Sequence, residues 1–244
     1  MVSPIKISVI NACTVLSDAQ IQAAVIDIQT QVTRDFAPRW GVGADIVFVP
    51  KRGIADPNSW QIPILDTSDE AGALGYHDMT AHGLPLGKVF AKTDILYGYS
   101  WTATLSHELL EMLVDPDCNR TVFIQNRKGG KIYAYEVCDP CEADSQGYRI
   151  GSTLVSDFVF PQYFETTIKP GRTQMDQRGL ITKPFQILSG GYLICYDISS
   201  GGGWTYVLGE QDTHVSYSAR ARVGSRRERR MTSQDQWIPS VKLP

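Results

Sequence analysis

The stretch 106–115, SHELLEMLVD, sets one histidine and two glutamates in an otherwise apolar run. On a helix His107 and Glu111 stand four residues apart, one turn along the same face. That spacing lets two side chains hold one metal ion. Glu108 is the next residue round, within reach of a water on that ion. Zinc held by nitrogen and carboxylate ligands lowers the pKa of its water towards about 7, and a neighbouring carboxylate can then take the proton. Leu105, Leu109, Met112 and Leu113 make the rest of the helix apolar. A surface helix with solvated acids would be more polar than this. A buried carboxylate without a partner is costly, so the pattern argues for a cation.

Several elements must position these residues. Residues 6–12 predict a buried strand. Ser17 and Gln20 form a capping box ahead of a helix on which Ile21, Ala24, Val25, Ile28, Val32 and Phe36 share a face, with Pro38 as its end. Strands are expected at 44–50, 60–65, 72–76 and 88–92. A helix at 99–114 follows, stopped by Asp115-Pro116. The second half has a strand at 131–137, a tight turn at 138–141, an apolar aromatic stretch at 155–164, and a hairpin of 192–196 with 204–208. The best break lies at 115–120. The expected fold class is α+β: a subdomain over 1–116, a strand-rich part over 117–218 that completes the site, and a basic tail over 219–244. Strand 88–92 is expected to line the cleft and pair with an extended peptide.

Strand–helix–strands–helix with His-Glu on the last helix resembles the zincin metallopeptidases. Their helix carries His-Glu-x-x-His; here Glu111 stands where the second histidine would be. A carboxylate there can ligate zinc but weakens its Lewis acidity. The segments His-Glu-x-x-Glu and Glu-x-Cys-Asp-Pro also resemble those of uncharacterised bacterial and phage proteins. The resemblance implies a mixed sheet with a backing helix and an active-site helix, zinc or another divalent ion, and a peptide or protein substrate. Within it, the gluzincin arrangement implies a downstream glutamate as third ligand and a further acid orienting the first histidine. Glu136, 25 residues after Glu111, would be that ligand and Asp139 the orienting acid. Asp139 or Glu142 could exchange roles with Glu136. Asp115 lies eight residues past His107, about 12 Å along the helix, and reads better as a helix terminator or an orienting acceptor.

Other candidates are weaker. His77, with Asp78 beside it to fix its tautomer, could contact substrate or metal, or simply sit in a polar turn. Tyr148 and Tyr163 could stabilise an oxyanion. Cys138 and Cys141 read as small buried thiols in a turn rather than a knuckle or redox pair. His82 and His214 carry no pattern.

Composition sets the outer bounds. The chain has 244 residues, 43% of them apolar, and five cysteines, so it has material for a core and is no disulfide scaffold. No apolar run approaches the ~20 residues of a membrane span, and no signal peptide is visible. Synthesis in the cytoplasm is expected, with incorporation in a virion as an alternative. Residues 219–230 hold six arginines and one glutamate, so +5 sits in that segment of a chain of net −3, leaving −8 elsewhere. Arg220, Arg222, Arg226, Arg227, Arg229 and Arg230 could dock on a second copy or an assembly partner, and less readily on nucleic acid. A non-catalytic component of a larger assembly, such as a phage particle, is therefore the alternative to a metal-dependent hydrolase.

Overall fold

The computed structural model of the chain describes residues 5–69, 73–126, 129–169, 172–199 and 204–209. The arginine segment and His214 lie outside the described residues.

The chain is mixed α and β. Its first sheet has five strands: β1 (Ile5–Asn11), β2 (Ala44–Val49), β3 (Trp60–Leu65), β4 (Gly75–Met79) and β5 (Pro85–Phe90), in the order β2-β1-β3-β5-β4. Three neighbouring pairs are parallel, and β4 runs antiparallel to β5 at the edge. Ile7, Val9, Ile62, Ile64 and Val89 are fully buried, as sheets with parallel strands require. Helix α1 (Asp18–Thr30) starts at the Ser17–Gln20 capping box and buries Ile21, Ala24, Val25 and Ile28.

Pro38 does not end that helix. The chain makes a π-helical turn over Gln31–Phe36 and continues as α2 (Ala37–Trp40), closing at Gly41 in the left-handed conformation. Pro38 falls in the first turn of α2, where a missing N–H costs nothing. Two strand boundaries also shift. The 72–76 expectation becomes β4 at Gly75–Met79, so His77 lies in a strand rather than a turn. The 88–92 expectation ends at Phe90, because the Asp66 carbonyl accepts from both Lys92 and Thr93 N–H and starts helix α3 (Ala91–Tyr97). Strand β5 is paired on both sides, which removes it as a docking edge for a peptide. The edge strands of this sheet are β2 and β4.

Helix α4 (Trp101–Val114) is capped by Ser100, whose hydroxyl accepts from Ala103 N–H and whose own N–H donates to Asp144. Every residue from Leu105 to Asp115 except His107 is buried. The second sheet is antiparallel, in the order β11-β10-β7-β6, from β6 (Thr121–Asn126), β7 (Gly129–Ala134), β10 (Tyr192–Asp197) and β11 (Thr205–Leu208). A short hairpin pairs β8 (Tyr148–Ile150) with β9 (Thr153–Val155). Strand β6 and this hairpin have no counterpart in the sequence expectations.

One hydrophobic core joins the two halves, from Ile7 through the α4 leucines to Phe158, Phe160 and Leu193. The Phe36 and Phe158 rings meet edge to face at 5.1 Å. Polar contacts cross with it: Gln31 donates to the Ser156 carbonyl and Trp40 to the Val159 carbonyl. Asp157 and Asp176, both fully buried, lie in this second half. Burial first, then the Asp176 carboxyl, pushes Asp157 up to about 8.

Candidate metal centre

Three segments converge on one buried cluster: helix α4 with His107, Glu108 and Glu111; edge strand β4 with His77; and the chain after β7 with Glu136, Asp139 and Glu142. Strand β4 approaches α4 closely at Gly75. A Cβ there would stand 2.7 Å from Thr104 Cγ2 and 2.8 Å from Glu108 Oε1. Side chains two apart on a strand share a face, so His77 points at α4 as Gly75 does. Asp78 points the other way and accepts from Met79 N–H, so it does not fix the His77 tautomer from beside it.

The turn Asp139–Cys141 brings the acids back onto the helix. Cys141 N–H donates to the Cys138 carbonyl, and Cys138 N–H donates to Glu111 Oε1 at 3.0 Å. One Glu111 oxygen is thereby fixed, which aims the other, Oε2, at both histidines. Gly191 packs against this turn: a Cβ there would lie 2.5 Å from the Pro140 carbonyl oxygen. The next residue, Tyr192, sets its hydroxyl beside the Asp139 carboxyl.

The distances are specific. His107 Nε2 lies 3.2 Å from Glu111 Oε2 and 3.3 Å from Asp139 Oδ1. His77 Nδ1 lies 3.5 Å from Glu111 Oε2 and 3.6 Å from Glu108 Oε2; its Nε2 lies 3.6 Å from Glu136 Oε2. His77 Nε2 is buried and makes no hydrogen bond. Charge-assisted hydrogen bonds close to about 2.7–2.9 Å, and none of these five approaches does. Two ligands on a tetrahedral ion with bonds of about 2.0–2.1 Å stand about 3.3 Å apart. Imidazoles and carboxylates at this spacing can hold a cation, and their N/O chemistry suits divalent metals.

Three sets of ligand atoms lie within 4.8 Å of one another: His77, Glu111 and Glu136; His107, Asp139 and Glu142; His107, Glu111 and Cys138. The expected trio of His107, Glu111 and Glu136 is therefore divided. Glu136 stands with His77, not with His107. Asp139 Oδ1 meets the same nitrogen of His107 that Glu111 Oε2 meets.

The electrostatics match a site that demands positive charge. Burial alone would lower both imidazoles. Cys118, Glu108 and Glu111 around His77, and Glu111 and Asp139 around His107, outweigh it and hold both well above the usual histidine range. Burial pushes Glu111 up, but His107 and then His77 bring it down to about 2. Burial first, then Glu111, raises Asp139 to about 7; burial first, then Asp139, raises Glu142 to about 8. Protons here hold places that a metal can take.

The remaining candidates stand elsewhere. Asp115 Oδ1 accepts from Asn119 and Arg120 N–H and closes helix α4. Tyr163 is fully buried and donates to the Gln186 carbonyl among Phe164 and Phe185. Its hydroxyl is committed to the core, which corrects its expectation as a transition-state contact. Tyr148 donates to Asp35. The tyrosine that does reach the cluster is Tyr192. All five cysteines are free and buried, and burial pushes the Cys138 and Cys141 thiols well up. His82 is exposed. No helix among the described residues is long and apolar enough to cross a membrane.

Comparison with protein-family models, with curated proteins and with solved structures finds no match for this chain.

Proposed function

We propose that this chain is a metal-dependent hydrolase, with zinc as the favoured ion and a peptide or protein as substrate. The observation that carries the reading is the spacing of 3.2–3.6 Å between imidazole nitrogens and carboxylate oxygens in a buried cluster. It matches the separation of two ligands on one ion. A divalent ion supplies a Lewis acid there and brings the pKa of a water towards about 7. Glu108 is the base: it lies one residue round α4 from His107, with its carboxylate turned into the cluster beside His77. It takes a proton from the attacking water and returns it to the leaving amine. Tyr192 stands beside Asp139 and limits its movement away from His107. An extended peptide would add to the free edge of β4, the strand that carries His77. The order strand–helix–strands–helix and the antiparallel edge strand beside α4 support a zincin-like fold.

The test is hydrolysis of labelled casein by the zinc-loaded chain. Glu108→Gln should keep its metal and lose activity by about 10²–10⁴-fold. If the variant hydrolyses casein at the wild-type rate, Glu108 is not the base.

Enclosure favours a second reading. The side chains of His77, His107, Glu108, Glu111, Glu136 and Asp139 are at most 12% exposed, and structural metal sites are closed where catalytic ones keep an open position. On that reading the protein is a non-catalytic member of an assembly, and the metal clamps the Asp139–Cys141 turn to α4. A zinc-loaded chain that melts higher than the stripped chain but turns over no peptide would favour it.

A further inference from the structure

The two faces of the second sheet differ. Leu193 and Cys195 of β10 are buried on one of them, and Tyr133 of β7 packs there on Phe185 at 4.7 Å between ring centres. Side chains alternate along a strand, so the register assigns Phe123, Ile132, Ile194, Tyr196 and Tyr206 to the other face. Trp204, just before β11, joins them and meets Tyr196 edge to face at 6.0 Å. The Phe123 ring lies over the backbone of Gly130, where an added Cβ would collide with it and stand 3.5 Å from Ile198 Cδ1.

Much of this face is open to water. Phe123 is 54% exposed and Trp204 45%, with Ile198 and Leu208 at 49% and 50%. Contiguous exposed apolar surface of this kind marks a binding site. Its described strands place no charged side chain on this face; Lys131 and Asp197, opposite each other in the register, alternate onto the other one. No acid on it would repel a phosphate.

The cations come from the same chain. Arg220 follows Leu208 by 12 residues, and the segment 219–230 carries +5. Twelve residues span at most about 40 Å. Four strands at about 4.8 Å and six residues at about 3.3 Å make the sheet about 14 Å wide and 20 Å long. The arginines are therefore within reach of every ring on the face. Their own run holds no aromatic residue; the sheet supplies that part.

We propose that this face, together with the arginines of 219–230, binds single-stranded nucleic acid, the exposed rings stacking on bases and the guanidinium groups neutralising phosphates. A ring can stack only on an open base face, which a single strand offers and a duplex keeps inside its own stack. A second copy seated on the face would instead bring its +5 against this one. Nothing in this surface requires the metal.

The experiment is fluorescence anisotropy of the full chain with a labelled thymidine oligonucleotide of about 20 residues, longer than one such surface covers, and with a duplex of the same length. The single strand should bind more tightly. Its log affinity should fall with log salt between about 50 and 200 mM, with a slope as steep as about −4 for six arginines at about 0.7 per phosphate. Replacing the six by glutamine should flatten that slope. Trp204→Ala and Phe123→Ala should each weaken binding by about 5–150-fold, the loss of one stacked base. Trp204→Phe keeps a ring and should retain most of the affinity, which separates lost stacking from lost folding. No binding at about 50 mM salt overturns the proposal. Equal affinity for strand and duplex, unaltered by Trp204→Ala, leaves only the arginines and overturns the stacking face. A wild-type dimer in sedimentation that Trp204→Ala dissociates, without oligonucleotide binding, overturns it in favour of a second copy.

Discussion

Replacing Gly75 by alanine should disturb the site without touching a proposed ligand. The added methyl would stand 2.7 Å from Thr104 Cγ2, 2.8 Å from Glu108 Oε1 and 2.8 Å from the Lys88 carbonyl oxygen. Non-bonded carbons rest about 3.5–4.0 Å apart, so strand and helix must separate by about 1 Å. Overpacking of this kind costs about 1–3 kcal/mol. Three simultaneous contacts, one of them with backbone in the β5 ladder, place Gly75→Ala in the upper part of that range, at about 2–3 kcal/mol. For a chain of this size, at about 2–4 °C per kcal/mol, the midpoint of thermal unfolding should fall by about 4–12 °C. His77 and Glu108 ride on the two elements forced apart, so zinc affinity should fall by about tenfold or more. The control is Gly98→Ala. Gly98 has φ of 80° and nothing within 4 Å of an added Cβ, so it should cost about 1–2 kcal/mol of left-handed strain and leave zinc affinity alone. Calorimetry and zinc titration read both effects. A Gly75→Ala protein with wild-type melting and wild-type zinc affinity would refute the close packing of β4 on α4.

Three further outcomes follow from individual residues. Tyr192→Phe removes the hydroxyl beside Asp139 and should weaken zinc binding by about 10–100-fold with little change in the circular dichroism spectrum; unchanged affinity would detach Tyr192 from the site. Ser106→Ala leaves the Ser156 N–H, which donates to Ser106 Oγ at 2.6 Å in the core, without an acceptor, and should cost about 1–3 kcal/mol in urea unfolding; a cost near zero would contradict that contact. Asp94 is raised to about 8, by burial first, with the Thr104 hydroxyl opposing and Asp144 and Glu108 adding to it. A carboxyl raised in the fold keeps its proton longer there than in the unfolded chain. Its contribution to stability is therefore full below about pH 4 and is lost as pH rises from about 4 to about 8. Asp94→Asn should flatten the fall of melting temperature between pH 5 and 8; an unaltered slope would exclude Asp94 as its source.

What could be read from the sequence was local. The His107–Glu111 pair and Glu108 stand out because a helical repeat and one turn of spacing fix them without any distant contact. The capping box at Ser17 and strand β3 have the same local origin. Residues that join the site through tertiary pairing were harder to place. His77 lies 30 residues before His107, on a strand whose short apolar pattern set its bounds too early. Its neighbours in space come from pairing with β5 and packing on α4, neither of which leaves a sequence period. Tyr192 approaches Asp139 across more than 50 residues through the close contact at Gly191, and eleven tyrosines offered no means of choosing it. The division of Glu136 from His107 turns on where the chain bends after β7, at Cys138, whose N–H anchors Glu111. Pro38 misled for a physical reason: proline stops a helix only when it removes a needed N–H, and a π-helical turn had already reset the ladder.

The most direct test of the metal centre is an anomalous-difference map at the zinc edge from crystals of the zinc-loaded chain. A peak is expected about 2.0–2.1 Å from His107 Nε2 and in bonding distance of Glu111 Oε2. A map without density there, with His107 drawn onto Glu111 or Asp139 at a hydrogen-bond distance of about 2.7–2.9 Å, would contradict it.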